Sequence, residues 1–365
     1  MTTQNKKAIY DQSIYEVAEQ IHAVGSHLTV MVRGHMGTGK SSILKVLAEM
    51  NPNHVIAYVD CTTLTDSADL FMVKYSEDGK TFTSVPFKDL GLHLPDQPII
   101  LMFDELGKCS RSVLLACNRI ILERKHGNLT LHPDSLVFAT TNLGSEGLGD
   151  LLPAHSLDRV TTVTMRKPDN IEAIEYGIDH DYDPALLGWF KETPELFYGF
   201  ERYEDPEENP YIFHPNAVDR ESFFTPRGGE RANHILKQRA LLSDSQLTSL
   251  LIGTVGYAAA MNLATFIALA DKLPTLDQIK GDPMTAPIPD GPSAICMVVY
   301  RALATIEREW VDPWLTYMNR LPKEAQGLFV NGARSKLYSR RDIVSQNKQY
   351  GDWCQANNYM FSTDK

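Results

Sequence analysis

Apolar side chains recur along the first half of the chain in two alternating patterns. Ile14, Val17 and Ile21 are three and four residues apart, which predicts an amphipathic helix over 8–24. Leu28, Val30, Met31 and Val32 form a short apolar run ending at Gly34. Ile43, Leu44 and Leu47 then resume helical spacing over 40–50, until Asn51 and Pro52 stop it. Further short apolar runs at 55–59, 99–103, 136–139 and 160–165 are each consistent with a buried strand of a parallel sheet. Strands alternating with helices make 1–167 a three-layer α/β domain, closed by Pro168.

Beyond Pro168 the strand pattern stops, and helical spacing covers 170–177, 183–190, 229–242 and 246–273. An acidic stretch, ERYEDPEEN at 201–209, and a proline-rich connection at 274–292 interrupt it. The chain is thus expected to divide into an α/β core (1–167), a helical section (168–242) and a mostly helical C-terminal region (243–365). In the last of these, Trp310, Trp314 and Tyr317 have the spacing of one helix face and read as core aromatics. The basic stretch KLYSRRDIVSQNK at 336–348 reads as a solvated face, with an acidic partner or nucleic acid as the alternative.

Composition narrows the class. A length of 365 residues with 43% hydrophobic content fills two or three cores of ordinary size. The five cysteines are scattered, without zinc-ligand spacing or a disulfide framework, which fits a reducing compartment. The first residues are polar and no later stretch approaches a bilayer-spanning apolar length, so a cytoplasmic protein without a membrane span is expected. The net charge of −11 opposes non-specific attraction to nucleic acid and favours a protein or small-molecule partner.

The chemistry concentrates in three strand ends. Gly34-His35-Met36-Gly37-Thr38-Gly39-Lys40-Ser41 matches G-x-x-x-x-G-K-[ST] and lies between an apolar strand and a helix, where the motif's mechanism requires it. Glycines let backbone N–H groups close around phosphates, the helix N-terminus adds its positive dipole end, Lys40 reaches the β- and γ-phosphates, and Ser41 can ligate magnesium. Gly34, Gly37, Thr38, Gly39, Lys40, Ser41 and Ser42 are therefore the candidate ATP-binding residues. The run Ile99 to Phe103 ends in Asp104 and Glu105. Asp104 is expected to hold Mg2+ with Ser41, and Glu105 to polarise the water that attacks the γ-phosphate. Asn142 ends the next strand and either bonds that water or simply forms a turn.

With these residues assembled, the chain resembles the AAA+ ATPases, and among them the MoxR-like, dynein-related group, over about 24–242. The stretch FDELGKCSRSVLLACNRIILERKHGNLTLHPDSLVFATTN is similar to that group's succession of Walker B acids, a helix ending in Glu-Arg, a short hairpin and the sensor 1 strand, which makes Asn142 sensor 1. LLPAHSLDRV resembles the segment whose arginine enters the neighbouring subunit's site, so the resemblance implies that Arg159 is an arginine finger. Ser222-Phe223-Phe224-Thr225-Pro226-Arg227 resembles sensor 2 at the start of a lid helix and implies a catalytic Arg227, with Arg220 and Arg231 as competitors. The chain departs from the group's usual wording with ERKHG and LDRV but keeps the charges.

The resemblance implies a P-loop NTPase core with a parallel sheet, followed by a helical lid, using ATP and Mg2+. It further implies a homo-oligomer, as a hexameric ring, whose hydrolysis remodels or activates a protein client in a chaperone-like way, often with a separate von Willebrand factor A-type partner. It also places residues 60–94 towards a central channel. A nucleic-acid motor or loader, disfavoured by the acidity, and a nucleotide-gated scaffold are the alternatives.

Overall fold

The computed structural model describes residues 11–144, 154–335 and 338–358, and the chain divides into two compact units at Lys167 and Pro168. The first unit is built on β1 (Asp11–Gln12), β2 (Val30–Gly34), β3 (Val55–Asp60), β6 (Ile99–Asp104), β9 (Leu136–Asn142) and β10 (Thr161–Met165). These form a six-stranded sheet, parallel throughout, in the order β1-β10-β2-β9-β6-β3. Two hairpins, β4 (Phe71–Tyr75) with β5 (Phe82–Pro86) and β7 (Lys125–His126) with β8 (Leu129–Thr130), stand apart from it.

The apolar runs of β6 and β9 are explained by burial on both faces, whereas β3 at the sheet edge leaves Val55, Ile56 and Tyr58 exposed. Along β6, Ile100 and Met102 pack with Val17, Ile21, Ile43 and Leu47 of α1 (Ile14–Val24) and α2 (Ile43–Met50). Leu101 and Phe103 pack with Val113, Cys117 and Ile120 of α3 (Arg111–Glu123) on the other face. Each fully buried side chain of this kind contributes about 1.5–3 kcal/mol. The helix expected over 8–24 is shorter where it is described. Asp11 and Gln12 pair with Thr164 and Met165 at the sheet edge, and Ser13 caps α1 through reciprocal bonds with Glu16.

Residues 60–94 carry the β4–β5 hairpin. Its base is tied to the second hairpin, because the Phe71 ring stacks on His126 at 3.4 Å and the Ser84 hydroxyl lies 3.3 Å from His126 Nε2. Towards its turn Met72, Tyr75 and Phe82 are 72%, 69% and 65% exposed.

After α4 (Ala154–Leu157) in the first unit, the second unit contains α5 (Asn170–Asp179), α6 (Pro184–Glu192), α7 (Pro226–Lys237), α8 (Asp244–Val255), α9 (Tyr257–Ala270), α10 (Leu276–Gly281), α11 (Pro292–Thr305), α12 (Val311–Met318), α13 (Lys323–Arg334), α14 (Arg341–Ser345) and α15 (Lys348–Ala356). Its described core runs from Ala173 to Trp353 and includes Trp310, Trp314 and Tyr317, all buried. The single helix expected over 246–273 is two helices. Gly256 breaks it at φ +90°, and a Cβ there would lie 2.5 Å from the Ser222 carbonyl oxygen. Among the described residues no helix is long and apolar enough to cross a membrane.

Candidate active site

Register brings the three strand ends together. Gly34 of β2 lies opposite Asn142 of β9, and β9 in turn flanks β6 with its terminal Asp104, so all emerge at the carboxyl edge of the sheet. In an open α/β sheet this edge is where ligands bind.

The loop after β2 is shaped by its glycines. Gly37 and Gly39 have φ +67° and +87°, which side chains with a Cβ rarely adopt. Gly34 is required by a close approach instead, since a Cβ would come within 2.8 Å of the Met165 carbonyl oxygen on β10. Thr38 pins the loop by donating its hydroxyl to His35 O at 2.9 Å. A 3-10 turn, Lys40–Ser42, then leads into α2. Lys40 is only 6% exposed, and Nζ donates to Gly34 O at 3.0 Å, His35 O at 2.8 Å and Asn142 Oδ1 at 2.7 Å.

Asp104 is gripped by hydroxyls from three directions. Oδ2 accepts from Ser41 Oγ at 3.0 Å and from the Tyr58 phenol at 2.9 Å, and Oδ1 accepts a short bond from Thr140 Oγ1. Burial and the Asp104 carboxylate both push the Tyr58 phenol up, so it remains a donor. Thr140, fully buried on β9, also accepts the Glu105 backbone N–H at 3.1 Å. Tyr58 and Thr140 are invisible in the sequence because no motif spacing marks them. Their contacts exist only through strand register.

Glu105 sits in the left-handed region at φ +54°, an unusual place for a residue with a side chain and one that stores roughly 1–3 kcal/mol. Its carboxylate accepts from Asn142 Nδ2 at 2.9 and 3.0 Å, and its Oε2 lies 3.0 Å from Lys108 Nζ. A continuous polar path thus runs from Lys40 through Asn142 to Glu105 and Lys108.

The set fits a magnesium nucleotide. Two left-handed glycines shape the loop, a buried ammonium points at its carbonyls, and a hydroxyl–carboxylate pair, Ser41 with Asp104, supplies the hard oxygen donors magnesium takes.

Of the two candidate arginines, Arg159 belongs to the first unit and Arg227 to the second. Arg159 is half-buried in the turn after α4, its N–H bonded to Ser156 O at 3.1 Å, and among the described residues its guanidinium has no hydrogen-bond or ion-pair partner. It precedes Thr161, which pairs with Val30 at the amino end of β2, whereas Met165 pairs with Gly34. Four strand residues at about 3.3 Å each separate those ends by about 13 Å, so Arg159 stands at the edge opposite its own phosphate loop. Residues 151–153, the start of the segment LLPAHSLDRV, lie outside the described residues. Arg227 is exposed in the first turn of α7, after Pro226, with Thr225 Oγ1 capping Gly228 N–H at 3.0 Å. Arg231 is exposed on the same helix. Arg220 is committed elsewhere, donating to Asn209 O, Ile212 O and Pro206 O.

Residues 29–154 match the AAA domain of the dynein-related subfamily. A Nif-specific regulatory protein of Azospirillum lipoferum is 27% identical over 165 residues, covering 43% of this chain and 26% of that protein. The chain thus matches about a quarter of that relative's length. Among solved structures, a candidate ATPase of Cytophaga hutchinsonii shows 14% identity over 70% of this chain and 88% of its own, with a TM-score of 0.35. The Thermotoga maritima RuvB Holliday junction branch migration motor shows 15% identity over 77% and 75%, with a TM-score of 0.34. Neither structural likeness bears on function. The domain match falls on a parallel sheet whose glycine loop and acidic strand end meet at one edge, and residues 29–154 are a dynein-related AAA domain.

Proposed function

We propose that the chain hydrolyses ATP with Mg2+ and, as a ring of identical subunits, uses that energy to remodel or activate a protein client. The observation that carries the hydrolytic reading is the path Lys40–Asn142–Glu105 beside the Ser41–Asp104 pair. When bound, Mg2+ would neutralise charge on the phosphates and be held by Ser41 and, through water, by Asp104. Lys40 exchanges its loop carbonyls for the β- and γ-phosphate oxygens. Glu105 holds the attacking water in line and draws on its proton, with Asn142 fixing the orientation of the carboxylate. ATP and water become ADP and phosphate. Arg159, remote from its own loop, serves the site of a neighbouring copy, and Arg227 is the sensor of the γ-phosphate carried by the lid of residues 168–242. A six-membered ring, a cytoplasmic location and a separate von Willebrand factor A-type partner belong to the same reading.

The client is argued from the β4–β5 hairpin. Met72, Val73, Tyr75, Phe82 and Val85 are all exposed on it, and its charges balance, Lys74 and Lys80 against Glu77 and Asp78. An exposed apolar ribbon suits extended polypeptide rather than a phosphate backbone. The test is the ATPase rate with an unfolded protein and, separately, with single- and double-stranded DNA. Stimulation by the polypeptide, lost in Tyr75→Ser/Phe82→Ser, supports this reading. Stimulation by DNA alone overturns the client assignment.

A further inference from the structure

Helix α6 ends in Lys191 and Glu192 and packs in one core with α11, which carries Cys296. Lys191 Nζ donates to Cys296 Sγ at 2.8 Å, across 105 residues of sequence. Sulfur is larger than oxygen, yet this separation is that of an ordinary N–H···O bond, roughly 2.7–3.2 Å. The helices cannot readily drift apart here. Gly188, one turn before Lys191, receives Met297, the neighbour of Cys296, so closely that a Cβ on it would lie 2.6 Å from Met297 Cε. The pair is also reachable by small solutes from one side. Cys296 is 7% exposed, but the Lys191 side chain is 36% exposed, with Glu192 Oε1 at 3.8 Å from its ammonium.

We infer that Lys191 and Cys296 are a covalent modification site, at which peroxide joins the two side chains through a single oxygen as Nζ–O–Sγ. In the uncharged form of the amine, R–NH2 + R′–SH + 2 H2O2 gives R–NH–O–S–R′ + 3 H2O. One N–O and one S–O bond form and both peroxide O–O bonds break. The thiol sulfur and the amine nitrogen each lose two electrons, the four being taken up by the two peroxides, and the ammonium proton of Lys191 passes to solvent. In the first unit burial pushes the Cys109 thiol up to about 11 and those of Cys61 and Cys117 higher still, which disfavours their thiolates. The product would staple α6 to α11 and be opened by thiols.

The test is peptide mapping of the full chain by mass spectrometry after hydrogen peroxide and alkylation. The expected product is a linked pair of peptides holding Lys191 and Cys296, about 14 Da heavier than their sum (one oxygen gained, two hydrogens lost), uncut by trypsin after Lys191 and separated by dithiothreitol. In Lys191→Met that species disappears, and Cys296 proceeds to sulfinic and sulfonic acids, about 32 and 48 Da heavier. Wild-type protein giving only these higher oxides, or only unmodified Cys296, overturns the inference. So does a linked species that persists unchanged in Lys191→Met. The wild-type chain alone can overturn the inference, so a variant that fails to fold does not leave it untested.

Discussion

Asn142 donates its side-chain amide to both carboxylate oxygens of Glu105, at 2.9 and 3.0 Å, while its own carbonyl accepts from Lys40 at 2.7 Å. One residue thus touches both the group proposed to meet the phosphates and the group proposed to prepare the water. In the proposed mechanism Lys40 leaves Asn142 Oδ1 for the γ-phosphate, which frees the amide to adjust the carboxylate it holds.

This arrangement predicts that Asn142→Ala lowers kcat by about a hundredfold, the usual cost of losing one oriented donor at a reacting centre. ATP affinity should change by less than about threefold, because Lys40 and the glycine loop, not Asn142, hold the phosphates in the proposed mechanism. Steady-state phosphate release, paired with fluorescent-nucleotide titration, separates the two. A loss confined to affinity would place Asn142 in binding rather than in the hydrolytic step.

The position of Arg159 at the sheet edge opposite its own loop gives a complementation test. Arg159→Ala and Lys40→Ala should each reduce ATPase activity by more than roughly tenfold, the size expected of a phosphate-contacting cation. Mixed, they should regain part of it, because an intact loop in one subunit meets an intact arginine from the next. Mixtures no more active than the sum of their components would remove the support for action between subunits.

Gly256 is predicted to be irreplaceable for stability. At φ +90°, with the Ser222 carbonyl oxygen 2.5 Å from the place a Cβ would occupy, Gly256→Ala should cost roughly 1–3 kcal/mol or more. Urea denaturation checks this, and an unchanged midpoint would show that the α8–α9 junction relaxes freely.

How far the chain could be read from its sequence follows from the range of the interactions involved. The phosphate loop was legible because its glycines, lysine and serine are consecutive and their spacing is itself the backbone requirement. The parallel sheet was legible because strands buried on both faces lose their polar alternation. Tyr58 was not, since its bond to Asp104 spans 46 residues and depends on β3 lying beside β6 in one register. The break at Gly256 was hidden by apolar spacing that continues through it, and what decides it is the Ser222 carbonyl, supplied by a distant loop. At the N-terminus, helical spacing of Ile14, Val17 and Ile21 suggested a longer helix, but the sheet edge beside β10 takes Asp11 and Gln12 as a strand.

Glu105 is the residue proposed to prepare the attacking water, and one comparison tests it: phosphate release by Glu105→Gln and by wild type at saturating Mg2+ and ATP, with bound ATP counted in the same samples. The glutamine still accepts from Asn142 but cannot draw a proton, so full ATP occupancy with turnover reduced about a hundredfold or more is predicted. A Glu105→Gln variant that binds ATP and releases phosphate at the wild-type rate would contradict the account.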